Sequence, residues 1–111
     1  MKLRIHANTL RLRLSQREVA VLKNEGRLEE RVDFAGGTPF VYSIERTDVG
    51  AIAASFEGNQ IHFRVPNSVA IQWIDSNEVG LHADGVVIEK DFQCLHRNSP
   101  EDADSFPNPA A

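Results

Sequence analysis

Only one of the 111 residues is a cysteine, Cys94. An intrachain disulfide is therefore impossible, and a four-thiolate zinc site is excluded. A single thiol fits a reducing, cytoplasmic compartment. No uncharged stretch approaches the roughly 20 apolar residues of a membrane-crossing helix, and the alternation of charged and apolar residues from Lys2 onward is unlike a signal-peptide core. Neither secretion nor membrane insertion is expected. The chain also lacks a serine elbow, a phosphate-binding glycine loop and a two-histidine metal motif. No cofactor is implied, and the chain reads as non-catalytic. Its balance of 41% hydrophobic and 25% charged residues is ordinary for a globular protein, which argues against disorder as the ground state.

Acidic residues are missing from the first 17 positions, where Lys2, Arg4, Arg11, Arg13 and Arg17 stand. The opposite end, residues 99–111, carries Glu101, Asp102 and Asp104. The net charge of −4 thus conceals a basic start and an acidic finish. Such asymmetry suggests either a polyanion contact or an interaction of tail with body, against the plainer reading of a solvated strand face.

What is present is a pattern stated twice. The segment Ile5-His6-Ala7-Asn8-Thr9-Leu10-Arg11-Leu12-Arg13-Leu14 returns 51 positions later as Phe56-Glu57-Gly58-Asn59-Gln60-Ile61-His62-Phe63-Arg64-Val65. In the first, apolar and basic residues alternate with the period of a half-buried hairpin, and Ala7-Asn8 and Gly58-Asn59 occupy the reversals. Ser15-Gln16-Arg17-Glu18 is a capping box that starts a helix, with Val19 and Leu22 toward the core and Gly26 as a left-handed stop. In the second copy Pro66 opens the helix, and Val69, Ala70, Trp73 and Ile74 form its apolar stripe. Strand pairs follow each helix, Leu28–Phe34 with Phe40–Arg46 and Glu78–Ala83 with Val86–Phe92, the latter joined by Asp84-Gly85.

The expected architecture is mostly β (α+β), with two ββαββ-like repeats related by a pseudo-twofold axis. One domain spans 1–98, with repeat one at 1–46 and repeat two at 51–97. Residues 99–111 form an acidic, proline-containing tail that is either mobile or docked through Phe106.

The run Gly58-Asn59-Gln60-Ile61-His62-Phe63-Arg64-Val65-Pro66, followed by Ala70, Trp73, Asn77-Glu78-Val79-Gly80-Leu81 and Asp84-Gly85-Val86-Val87-Ile88, resembles the swapped-hairpin domain of AbrB-type regulators and MazE-type antitoxins. That likeness spans about 35 residues. It implies a small swapped-hairpin-like barrel of interlocked hairpins, normally built from two chains, that binds DNA through basic residues. The first copy keeps Asn8, Leu12, Arg13 and Leu14 but has Ser15 in place of the proline. Two copies in one chain would build in cis the pair that the family builds from two subunits, as a monomer with internal pseudo-symmetry or as a homodimer. The closing segments Glu89–Arg97 and Glu101–Pro109 resemble the end of a group of short uncharacterised bacterial proteins, a likeness that carries no activity.

The candidate nucleic-acid-binding residues are Lys2, Arg4, Arg11 and Arg13, joined by His62 and Arg64 of the matching hairpin, because affinity for DNA follows the number of phosphates neutralised. Against this stands an acidic chain without the usual strongly basic footprint. An unknown protein partner is the competing expectation. Cys94 and His96 share a strand face and suit a soft metal, with His82 or Asp102 as third ligands, although a buried structural cysteine beside a surface histidine explains them equally well. The three acidic tail residues lack the spacing and the glycine of a calcium loop. The reading is thus a non-catalytic binding module of unknown partner, in its sharper form an AbrB/MazE-like regulator or antitoxin. The alternatives are DNA binding by the basic face, or a small enzyme or metal-binding protein using Cys94 and His96.

Overall fold

The computed structural model describes residues 1–48, 50–92 and Phe106. Ten elements follow one another: β1 (Lys2–His6), β2 (Thr9–Leu14), α1 (Gln16–Glu25), β3 (Arg27–Val32), β4 (Phe40–Thr47), β5 (Ala53–Glu57), β6 (Gln60–Pro66), α2 (Asn67–Ile74), β7 (Gly80–Ala83) and β8 (Val86–Lys90). The fold is mostly β, with eight strands in two four-stranded sheets and two short helices. The expected hairpins and helices are present within a few residues of their anticipated ends.

Each hairpin folds for local reasons. Leu12 and Leu14 of β2 are fully buried while Arg11 and Arg13, which alternate with them, face outward, so the two-residue period sets the register Lys2 to Arg13 and Arg4 to Arg11. The two matching turns carry their positive φ at the first central residue, Ala7 at 50° and Gly58 at 57°. Glycine adopts that conformation without penalty, whereas alanine is strained there by about 1 kcal/mol.

Both hydrogen bonds of the capping box form around α1. The amide of Glu18 donates to Ser15 Oγ at 3.3 Å, and the amide of Ser15 donates to a Glu18 carboxylate oxygen at 2.9 Å. At the other end Gly26 takes the left-handed conformation, φ 81°, and its amide reaches the Leu22 carbonyl at 2.9 Å. Pro66 sits one residue earlier than expected in a first helical turn, at the cap of α2, where it supplies no side-chain hydrogen bond. Burial of Ala70 and Trp73 therefore does more for α2 than capping does.

The sheet order joins the two halves of the chain. One sheet runs β1-β2-β8-β7 and the other β3-β4-β6-β5. Outer pairs are antiparallel hairpins, while the central pairs, β2 with β8 and β4 with β6, are parallel, and the first of them joins strands from opposite ends of the chain. The ladders remain two open sheets, so hydrogen bonding does not close the barrel that the resemblance implied. Between them lies one core of Leu12, Leu14, Leu22, Ile44, Phe63, Val65, Trp73 and Ile88 with smaller neighbours. Phe106 is 97% exposed and takes no part in it.

A polar cluster ties the start of the chain to this framework. The Met1 ammonium donates to Glu18 and, at 2.9 Å, to Glu30, while the Tyr42 hydroxyl donates to the Met1 carbonyl at 2.9 Å. Burial pushes the ammonium down, but its bonds to Glu18 and Glu30 outweigh burial and raise it above 8.0. Glu18 is pushed up by burial and pulled further down by the ammonium and Ser15, ending below 4.5. The raised ammonium stabilises the fold fully below pH 8.0, and that contribution is lost as pH climbs through its folded-state value. The lowered carboxylate contributes fully above pH 4.5 and loses its effect as pH falls through its own folded value. Melting temperature is expected to hold level between these limits and fall on both sides. Glu18→Gln, which preserves the capping box, should flatten both limbs, and unchanged limbs in that variant would remove Glu18 from the account.

Candidate functional site

The basic alternation of the first hairpin places Lys2, Arg4 and His6 of β1 and Thr9, Arg11 and Arg13 of β2 on one outward face. Arg4 faces Arg11 and Lys2 faces Arg13 across the hairpin. Like charges in direct opposition destabilise a sheet, so such pairs need compensation. Part of it comes from the far end of the chain. Arg13 Nε donates to a Glu89 carboxylate oxygen at 2.5 Å, Arg11 Nη1 lies 3.8 Å from the same oxygen, and Lys2 Nζ donates to Asp91 at 2.8 Å. The hydrogen bond from Lys2 holds the Asp91 carboxyl below its usual range. Glu89 and Asp91 therefore offset charge on Lys2, Arg11 and Arg13, a neutralisation invisible until β8 is known to lie beside β2.

His62 and Arg64 lie on β6, in the other sheet, and share no ladder with those four. Arg64 stands opposite Glu45, and His62 opposite Ser43. Ser43 Oγ and His62 Nδ1 are 2.6 Å apart, and His62 Nε2 lies 3.3 Å from Glu45. With Nε2–H donating to the carboxylate, Nδ1 accepts from the serine hydroxyl. Serine, histidine and a carboxylate in series are the parts of a nucleophilic triad, but Ser43 is 0% exposed on a sheet whose neighbouring amides serve the ladder. The arrangement satisfies a buried hydroxyl and offers a substrate no approach.

Cys94, His96 and Asp102 lie outside the described residues. His82 is exposed on β7, and among the described residues no three His, Cys, Asp or Glu side chains are grouped to hold a metal ion. Among the described residues, no helix is long and apolar enough to cross a membrane.

Two cavities border the tip of the first hairpin. One, of about 150 Å³, is lined by Arg4, His6, Thr9 and Arg11 on the outer face. The other, of about 440 Å³, lies where Ile5 and Leu10 meet Ala54, Val86 and the turns at Asn8 and Asp84-Gly85. Thr9 and His6 are not among the charge-based candidates. Their two-residue spacing from Arg11 and Arg4 along the outward parity was the available signal.

The fold and its outward cations define a small, mostly-β protein with a basic face on one sheet. The chain belongs to DUF7009, a family of unknown function, whose family model matches residues 1–110. No curated protein and no solved structure matches it.

Proposed function

We propose that this protein is a non-catalytic binding module that engages a polyanion, duplex DNA foremost, through the outer face of the β1-β2 hairpin. The observation carrying this reading is the facing register of Lys2, Arg4, Arg11 and Arg13 on a solvent-directed sheet surface. Phosphates provide the sequence-independent part of DNA affinity, and such a row of cations suits them.

The architectural part of the proposal is a duplicated, single-chain counterpart of the AbrB/MazE-type swapped hairpin, with a regulator or antitoxin role. Its support is the exchange of hairpins between halves, since each sheet combines one hairpin from before β5 with one from β5 onward. Leu12 and Phe63, Leu14 and Val65, and Leu22 and Trp73 are each 51 positions apart, and all six are buried. Arg13 opposite Glu89 and Arg64 opposite Glu45 hold corresponding places in the two parallel ladders. With both halves in one chain, the reading expects a monomer in solution.

The test is binding of the full chain to random and operator-length duplexes at low and moderate salt. Binding should weaken with salt, and Arg11→Ala with Arg13→Ala should weaken it further and make the log–log salt slope shallower by about 1 per lost phosphate contact. Glu89→Gln should act in the opposite sense by removing the carboxylate that competes for both arginines. No affinity at low salt, or affinity indifferent to all three substitutions, would discard DNA as the ligand and favour an acidic protein partner.

A further inference from the structure

The two halves of the chain differ at one corner between the sheets. Ile5 of β1 and Leu10 of β2 stand opposite each other on the inward parity of the first hairpin, and Leu10 lies beside Val86 of β8. Ala54 of β5 belongs to the other sheet, and together these four line a cavity of about 440 Å³. At the matching corner Phe56 stands opposite Ile61, and Ile61 lies beside Tyr42 where the first corner has Val86. Two residues before Tyr42 is Phe40, whereas two residues before Val86 is Asp84, and Leu3 holds the place of Ala54. Leu3, Phe40 and Tyr42 pack against the core. The cavity therefore marks the corner where smaller side chains replace larger ones.

Two turns in close approach fix its rim. The Leu10 amide donates to the Gly85 carbonyl at 2.8 Å, and a Cβ on Gly85 would lie 3.0 Å from the Asn8 carbonyl oxygen. Ile5, Leu10, Ala54 and Val86 make the lining largely apolar, while Asn8, Thr9 and Asp84, with amide, hydroxyl and carboxylate oxygens, also border it. Among the described residues Asp84 is the only acidic or basic one in that lining, and no cation is paired with it.

We propose that this cavity binds a small primary ammonium carried on a compact aliphatic or aromatic body. Its size falls within the roughly 300–1,000 Å³ of small-molecule sites. The apolar lining takes the body, and the three donors of an ammonium suit a rim whose side chains carry acceptor oxygens. An anion would meet Asp84 and no basic side chain in the lining. Asp84 is exposed, so its charge adds only about threefold to affinity and the body carries most of the binding. A six-carbon amine should bind with a dissociation constant of about 1–10 mM. The site lies on the inward side of the hairpin whose outer face serves the DNA reading, and it stands independently of that reading.

The experiment titrates hexylammonium chloride into the ¹⁵N-labelled full chain, with sodium chloride at matched ionic strength as the control. Saturable shifts confined to the amides around Ile5, Leu10, Ala54 and Asp84-Gly85 are expected. Butylammonium, two methylenes shorter, should bind about tenfold more weakly, since a fully buried methylene is worth about fourfold. Hexanol in place of the amine, or Asp84→Asn in place of the parent, should each weaken binding about threefold. Asn-Gly is favoured in a two-residue hairpin loop, so that variant keeps its turn. Ala54→Leu, which installs the leucine of the matching corner, should weaken hexylammonium binding more than tenfold without lowering the melting temperature. Ala54→Val fills less of the space and serves in its place if the leucine variant does not fold. Arg11→Ala with Arg13→Ala should leave amine binding unchanged, which separates this site from the outer face. The inference is overturned if hexylammonium gives no saturable shift, if sodium chloride gives the same shifts, if butylammonium binds equally well, or if a folded Ala54 variant binds like the parent. Equal affinity for hexanol and hexylammonium would overturn the assignment to an ammonium. Failure of duplex binding alone would leave the inference standing.

Discussion

Trp73→Ala is expected to destabilise the protein by about 3–5 kcal/mol, the usual cost of emptying a buried aromatic site. That loss is comparable with the whole stability of many small domains, so the variant should be largely unfolded at 37 °C. Three contributions vanish together. The side chain is completely buried on α2, its Nε1–H donates to the Val79 carbonyl at 3.2 Å, and the Lys90 ammonium lies 5.7 Å above its ring. Lys90 also donates to the Ser76 carbonyl at 2.7 Å, so the tryptophan helps to fix the connection from α2 into β7. Trp73→Phe retains most of the apolar volume and loses the indole donor, which should limit the cost to about 1–2 kcal/mol. Urea unfolding monitored by circular dichroism measures both. An alanine variant within 1 kcal/mol of the parent would mean that Trp73 is not the centre of this core.

Loss of the Arg46 side chain should be the next most damaging change, at about 2–3 kcal/mol for Arg46→Ala. The guanidinium donates to the Leu22 carbonyl at 3.1 Å and the Lys23 carbonyl at 2.8 Å, both at the end of α1, and to Asn67 Oδ1 at 3.0 Å at the start of α2. It thereby satisfies the Lys23 carbonyl at the helix terminus, adds a second bond to the Leu22 carbonyl that already accepts from the Gly26 amide, and places a positive charge where the helix dipole is negative. Arg46→Lys presents one ammonium in place of the fork and should recover about a third of the loss. The acceptors are neutral, so the effect should change little between low and high salt. Lys23 and Asp75, by contrast, form an exposed pair at 2.7 Å whose removal costs only a few tenths of a kcal/mol. If 1 M salt abolished the Arg46 effect, diffuse charge rather than these three bonds would be its origin.

Arg46 also illustrates what was readable in advance. It shares strand parity with Tyr42 and Ile44, on the inward side of β4, so an ionised residue on that side required a buried polar partner. The partner's identity was not readable, because it depends on where α1 ends relative to β4. The Ser43–His62–Glu45 series was hidden for the same reason. Its members lie on two strands whose parallel pairing no local signal specifies. Glu89 and Asp91 belonged, on sequence grounds, to the second half of the chain, and only the lateral placement of β8 against β2 made them counter-ions of the first.

The residue order alone settles whatever is decided within a turn or a hairpin: the alternation that buries Leu12 and Leu14, the Ser15–Glu18 cap, the left-handed stop at Gly26 and the reversal at Gly58-Asn59. These depend on φ preferences, hydrogen bonds spanning three residues and side-chain periods, all short-range in the chain. The tertiary structure alone decides which hairpins share a sheet, how much of the basic face is neutralised and where four side chains enclose a cavity. Such features arise from contacts between segments separated by tens of residues. Their energies depend on the geometry of the assembled core, and no local pattern encodes them.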